Sequence, residues 1–234
     1  MLKSNLTEQD LKIKIEAFLQ AHPDYYSEEE KKYIRECAAW GLYTDFSDAL
    51  LRQIYAELDL MPDEHNIYLG FISLISNIYG LDKNIVEVGG GKIPSLAKYI
   101  ALKQQTGTIT VYDPSLVVTT TPHPNLILKK VPFSKDLPEL SPDLLIGFMP
   151  TSATEEMLEY AYQTKTNFLI ALSDMTDAFD VYEQDEIWTH WQQEIIYSAS
   201  RKVEENGLGK LKILTLDKYD NPYPIIYTNK KYWL

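Results

Sequence analysis

The chain has 234 residues, of which 45% are hydrophobic and 12% aromatic, with 34 acidic and 22 basic side chains and a formal charge of −12. That composition describes a globular protein with an ample core, not a disordered one, and its length suits one α/β core with an added subdomain. The acidic balance, with no dense Lys/Arg cluster, argues against attraction to phosphate backbones, and the single cysteine, Cys37, rules out an intrachain disulfide or a thiolate metal cluster and fits a reducing cytoplasm.

Residues 1–81 read as wholly helical. Helix starts are expected at Thr7 ahead of EQDLKIKIEAFLQ, at Ser27 with Glu30 three positions on, and at Ser47 ahead of DALLRQIYAEL; a segment beginning near Asp63 makes a fourth helix. The opening MLKSNLTEQD has no apolar signal core. The most apolar stretch, 67–81, is shorter than the roughly 20 residues that span a bilayer and is broken by serine and asparagine, so it reads as a buried helix and no membrane role is expected.

Residues 84–98, NIVEVGGGKIPSLAK, read as strand, tight turn and helix. Glycine belongs where a strand turns sharply into a helix and where a ligand must approach bare main chain, so the turn is expected to hold a nucleotide-like ligand. Pro94 is expected in the first helical turn, where its missing N–H costs nothing. A dinucleotide fingerprint, G-x-G-x-x-G, would want a third glycine where Pro94 stands and has no use for the strand-end carboxylate of Glu87.

The next segment, GTITVYDPS at 107–115, is a second strand ending in Asp113, 24 positions beyond Gly89. A carboxylate at a strand tip can accept both hydroxyls of a ribose, which points to an adenosine-containing ligand; Asp-Pro is also a turn signal. The link PSLVVTTTPHP is poor in helix formers, so a crossover helix there is expected to be missing or reduced. Further strands are expected at Leu126–Val131, Asp143–Phe148 and Asn167–Leu172. A helix over 151–163 is signalled by Ser152 with Glu155, and a longer one from about 185 to 205 ends at Asn206 and Gly207. KLKILTLD and YPIIYTNK, at 210–217 and 223–230, form a terminal β-hairpin around Asp220, Asn221 and Pro222. After the fifth strand, residues 173–186 carry Asp174, Asp177, Asp180, Glu183, Asp185 and Glu186, carboxylates suited to a cationic amine or to taking a proton; with no histidine pair and no glycine-bearing calcium loop, no metal site is expected.

The pattern E-x-G-x-G, from Glu87 through Gly89 to Gly91, resembles the first motif of the class I S-adenosylmethionine-dependent methyltransferases. The resemblance implies an α/β, Rossmann-like sheet over 82–234, mostly parallel with a C-terminal β-hairpin whose last strand is inserted antiparallel. An N-terminal helical subdomain over 1–81 would close over the cofactor and shape the acceptor pocket. It implies S-adenosylmethionine bound at Glu87, Gly89, Gly90, Gly91, Asp113 and Pro114, with Trp40, Tyr43, His65, Tyr68, Met149 and Asp174 as acceptor-pocket candidates. Two departures stand out: Ile93 occupies a position where the family often has a small residue, and the link after Asp113 is poor in helix formers where the family usually has a helix; GFMPTS after the fourth strand also lacks the N/D-P-P-Y/F sequence by which amino-methylating nucleic-acid enzymes grip an extruded base. The expected activity is methyl transfer to a small acceptor, cationic if the acidic loop borders the pocket, with no nucleic acid involved and a protein substrate left open. Three alternatives stay open: an NAD-linked oxidoreductase, a nicotianamine synthase-like aminoalkyl transferase suggested by Gly89 to Ser95, and a protein that keeps the fold without catalysis; the oligomeric state is open as well, a homodimer included.

Overall fold

The computed structural model describes residues 8–21, 23–40, 65–137, 140–173, 189–215 and 223–229. Among these residues, seven short strands form one sheet: β1 (Ile85–Val88), β2 (Ile109–Tyr112), β3 (Leu126–Lys129), β4 (Leu144–Phe148), β5 (Asn167–Ala171), β6 (Lys212–Thr215) and β7 (Pro224–Tyr227). Their spatial order is β3-β2-β1-β4-β5-β7-β6; the first five are parallel, and β7 lies antiparallel between β5 and β6. The central strands β4 and β5 read as nearly continuous apolar runs because both faces are covered, and all four residues of β1 are buried although one of them is Glu87.

One face carries Ile85, Ile109, Val111, Leu144 and Ile146 against Phe71, Ile72 and Ile75 of α3 (His65–Tyr79) and Leu96, Ala97 and Ile100 of α4 (Ser95–Lys103). The other carries Val86, Val88, Leu145, Phe168 and Ile170 against Met157 and Tyr160 of α5 (Thr154–Thr164) and Ile195, Ala199 and Val203 of α6 (His190–Glu205). The β2–β3 link has no helix, as its composition predicts; Leu116 and Val118, both buried, reach into the core in its place.

The two earliest helices, α1 (Glu8–Ala21) and α2 (Glu28–Trp40), form a hairpin that docks on α4. Ser27 and Glu30 make the capping box foreseen from their spacing: the Glu30 carboxylate accepts the Ser27 N–H at 2.8 Å and the Ser27 hydroxyl accepts the Glu30 N–H at 3.2 Å. Between α2 and α4, Lys98 and Glu30 form an ion pair of 2.5 Å with both side chains buried, and the Lys98 ammonium sits 5.0 Å from the ring centre of Tyr26. The helix expected after Ser47 falls outside the described residues. No helix among the described residues is long and apolar enough to cross a membrane.

Three local expectations need correction. Pro94 stands one residue before α4, as its N-cap, and its carbonyl accepts the Lys98 N–H at 3.0 Å. Ser152 and Glu155 make no capping box, because Thr151–Ala153 coil into a short 3-10 turn and α5 begins at Thr154 with Ala153 as cap. And α6 begins only at His190, where Thr189 and Gln192 make a reciprocal capping box. Its end is as expected: Gly207, at φ +69, lets its own N–H reach Glu204 O and that of Leu208 reach Val203 O, a Schellman closure.

Candidate functional site

Because β1, β2, β4 and β5 are parallel, their C-terminal ends share one edge of the sheet, and the strand order reverses between β1 and β4. A crevice is expected at such a switch point. A cleft of about 850 Å³ opens there, lined by the glycine turn, by the tip of β2, by Pro132 and Phe133 after β3, by Phe148 at the end of β4 and residues 149–153 after it, and by Ser173 and Tyr223 at the β5–β7 end. With strands about 4.8 Å apart, the edge from β2 to β5 spans roughly 14 Å, the length of a nucleoside with a short side chain.

The glycine turn is shaped by close packing. Gly89, at φ +77, donates its N–H to Tyr112 O at 3.0 Å, and a Cβ on it would stand 3.0 Å from the Pro150 Cα. At Gly90 a Cβ would come within 2.6 Å of the Val111 Cγ1, so the turn lies flat on β2 only without a side chain. Gly91 donates its N–H to Asp113 Oδ2 at 2.8 Å. The other carboxylate oxygen, Oδ1, accepts the Ser115 N–H at 2.6 Å as well as the Ser115 hydroxyl. Asp113 therefore forms the turn that Asp-Pro signals and also faces the cleft, 8% exposed, with one acceptor position, on Oδ2, left for a ligand hydroxyl.

Glu87 is the unusual group. It is 2% exposed, its carboxyl accepts the Ala97 N–H from the first turn of α4, and its Oε2 has no hydrogen-bond partner. Burial pushes its pKa up to about 8; the Ala97 N–H pulls it down and the Asp113 charge pushes it up further. A buried carboxyl with an oxygen left over beside a cleft is built to receive a hydrogen-bond donor or a cation.

After β4 the chain enters the left-handed region at two non-glycine residues, Met149 (φ +54) and Thr151 (φ +47), on either side of Pro150. Backbone strain of this kind is held only where packing over-determines it. Here Met149 donates its N–H to Ala171 O at 2.9 Å, and Pro150 packs under Gly89 and beside Gly147.

Glu87, Gly89, Gly90, Gly91, Asp113, Pro114 and Met149 are thus brought to one cleft. Tyr43 and Asp174 lie outside the described residues; His65 and Tyr68 lie in the opening turns of α3 and Trp40 ends α2, and the side chains of these three are not among those described. Sequence reasoning missed Ser95, Ser115, Phe133, Ser173 and Tyr223. Ser115 and Ser173 were findable by the strand-end rule that found Asp113, since each closely follows a strand; Phe133 was not, because it is placed by edge-on ring packing against Tyr112 and Tyr160.

No protein-family model and no curated protein matches the sequence. Among solved structures, the METTL16 methyltransferase domain superposes with a TM-score of 0.53 at 10% identity, over 79% of this chain and 81% of that one. Magnesium protoporphyrin IX methyltransferase (ChlM) from Synechocystis PCC 6803, solved with bound S-adenosylmethionine, is 10% identical, with 97% of this chain and 99% of that one covered and a TM-score of 0.47. The human methyltransferase 10 domain containing protein is also 10% identical, over 70% of this chain and 82% of that one, with a TM-score of 0.48. The antiparallel β7 inserted beside β5 departs from a dinucleotide-binding domain, whose sixth strand is parallel. The chain therefore has the Rossmann-like fold of the class I S-adenosylmethionine-dependent methyltransferases.

Proposed function

We propose that this protein transfers a methyl group from S-adenosylmethionine to a small-molecule acceptor. The observation that carries the reading is the pair of carboxylates on either side of the glycine turn, Asp113 at the tip of β2 and Glu87 beneath the turn with an unpartnered oxygen. A ligand with ribose hydroxyls at one end and positive charge at the other suits this pair. A dinucleotide does not, because its pyrophosphate would lie against Glu87 at the start of α4, where that carboxyl already takes a helix N–H.

When bound, the cofactor supplies a methyl group already activated by its sulfonium sulfur. The remaining work belongs to this chain: to bind, align and keep water out. Asp113 accepts a hydroxyl hydrogen at Oδ2, the oxygen by which it also ties Gly91 to β2. The glycine turn admits the ligand to the main chain, and Glu87 offers its free oxygen to the cationic end. Pro132 and Phe133 form an apolar wall near β2 and β3, and the Met149–Thr151 turn bounds the cleft beyond β4. The formal charge of −12 supports a small acceptor over a nucleic acid.

Titration calorimetry with S-adenosylmethionine, S-adenosylhomocysteine and NAD tests the reading. The two sulfur ligands are expected to bind in the micromolar range and Asp113→Ala to weaken both; binding of NAD alone, or of none of the three, would overturn it.

A further inference from the structure

The cleft continues past the carboxylate pair to its β5–β7 end, about two strand spacings or roughly 10 Å from β1. There the antiparallel register sets two residues side by side: Ala171 pairs with Ile225 and Leu172 donates its N–H to Pro224 O at 2.9 Å, so Ser173 stands opposite Tyr223. Both line the cleft, together with Phe148, Met149 and Pro150.

Ser173 is 3% exposed and its Oγ has no hydrogen-bond partner. Its position does not depend on that hydroxyl, because its carbonyl accepts the Gln192 Nε2–H at 2.7 Å, from the residue that also caps α6. A buried hydroxyl held in place by its own main chain, in a mostly apolar recess, costs stability unless something else completes its bond. Among the described residues, an ammonium seated against Phe148, Met149 and Pro150 would exchange its hydration for neutral hydroxyls alone, whereas an uncharged donor or acceptor group gives up far less.

We propose that Ser173 Oγ is the hydrogen-bonding contact for the methyl acceptor, and that the group seated there is an uncharged hydroxyl, amide or ring nitrogen on an apolar body. The proposal rests on the methyltransferase reading of the cleft. It runs against the cationic acceptor suggested by the acidic stretch 174–186, which lies outside the described residues.

The chain has five methionines, so labelling with [methyl-13C]methionine gives a short list of signals, and Met149→Leu assigns the one that borders this end of the cleft. The probes are phenol, toluene and benzylamine, titrated at pH 7 with and without saturating S-adenosylhomocysteine. Phenol is expected to shift the Met149 signal and to bind about tenfold more tightly than toluene. In Ser173→Ala that advantage disappears while toluene affinity stays the same, and benzylamine leaves the signal in place in both proteins. Ser173→Ala is also expected to melt no lower than the wild type, since no intramolecular bond is lost. A phenol advantage that survives Ser173→Ala, benzylamine binding at this site, or a lowered melting temperature would overturn the proposal. If S-adenosylhomocysteine fails to bind while the Ser173-dependent phenol preference persists, the cofactor reading falls and the hydrogen-bonding subsite stands.

Discussion

Two carboxylates sit on the two sides of α4, and they differ in how their burial is compensated. Glu30 is 1% exposed and Glu87 is 2% exposed. Glu30 meets the side chain of Lys98, and Glu87 meets the backbone N–H of the preceding residue, Ala97, so one short stretch of helix answers both. The first is answered within the fold: Glu30 Oε2 accepts the Ser27 N–H, and Oε1, which has no well-aligned hydrogen bond, lies 2.5 Å from the Lys98 ammonium, itself set between two tyrosine rings. The second leaves Oε2 without a partner beside the cleft. A buried charge satisfied internally joins elements, here the helical hairpin to the sheet; one left incomplete at a crevice keeps capacity for a ligand.

The largest effect that would sharpen this contrast is on stability against pH. The folded-state pKa of Glu87, about 8, lies above its ordinary value of 4.5, so its protonated form is favoured in the fold. The stability it contributes is fully present below about pH 4.5 and is lost as pH rises through about 8, a swing of about 5 kcal/mol. Urea melts of wild type and Glu87→Gln across this window are expected to diverge by that amount, the variant being relatively more stable at the alkaline end; parallel profiles would show that Glu87 is not held neutral. Next, Lys98→Ala is expected to cost about 3–5 kcal/mol, because it strands Glu30 in the core. Lys98→Met with Glu30→Gln, which keeps an acceptor for Ser27, is expected to fall within about 1 kcal/mol of the wild type, as a pair whose Coulomb gain is offset by desolvation should. A double variant as unstable as the single one would mean that the pair does more than neutralise itself. Smaller again, Asp113→Ala is expected to weaken S-adenosylmethionine by about 10- to 100-fold in calorimetry, the worth of hydrogen bonds to a charged group.

The legible parts of the fold were those governed by local chemistry. The β-branched run, three glycines and a proline announced strand, turn and helix; the terminal hairpin and the missing β2–β3 helix followed from turn residues and composition. The same signature, serine with glutamate three positions on, was right at Ser27 and wrong at Ser152. The difference lies upstream: Met149 and Thr151 hold positive φ around Pro150, and that turn is dictated by packing on Gly89, a contact between two loops far apart in sequence. The edge residues Glu87, Asp113 and Met149 were legible because strand tips in an open α/β sheet face the crevice. Ser173 obeys the same rule, but a lone serine carries no signal; its meaning comes from burial, a pinned carbonyl and an oxygen without a partner. The pairing of Glu30 with Lys98 was equally hidden, since neither residue stands in a pattern that names the other.

On the reading proposed above, burial holds Glu87 protonated until a cationic ligand arrives. Calorimetry of S-adenosylmethionine binding at pH 7 in two buffers of different ionisation enthalpy measures it directly, because the difference in observed heat counts protons. Wild type is expected to release close to one proton per ligand bound, as positive charge beside Glu87 restores its carboxylate, and Glu87→Gln to release none. Binding with no proton release in the wild type, or equal release in both proteins, would contradict the account.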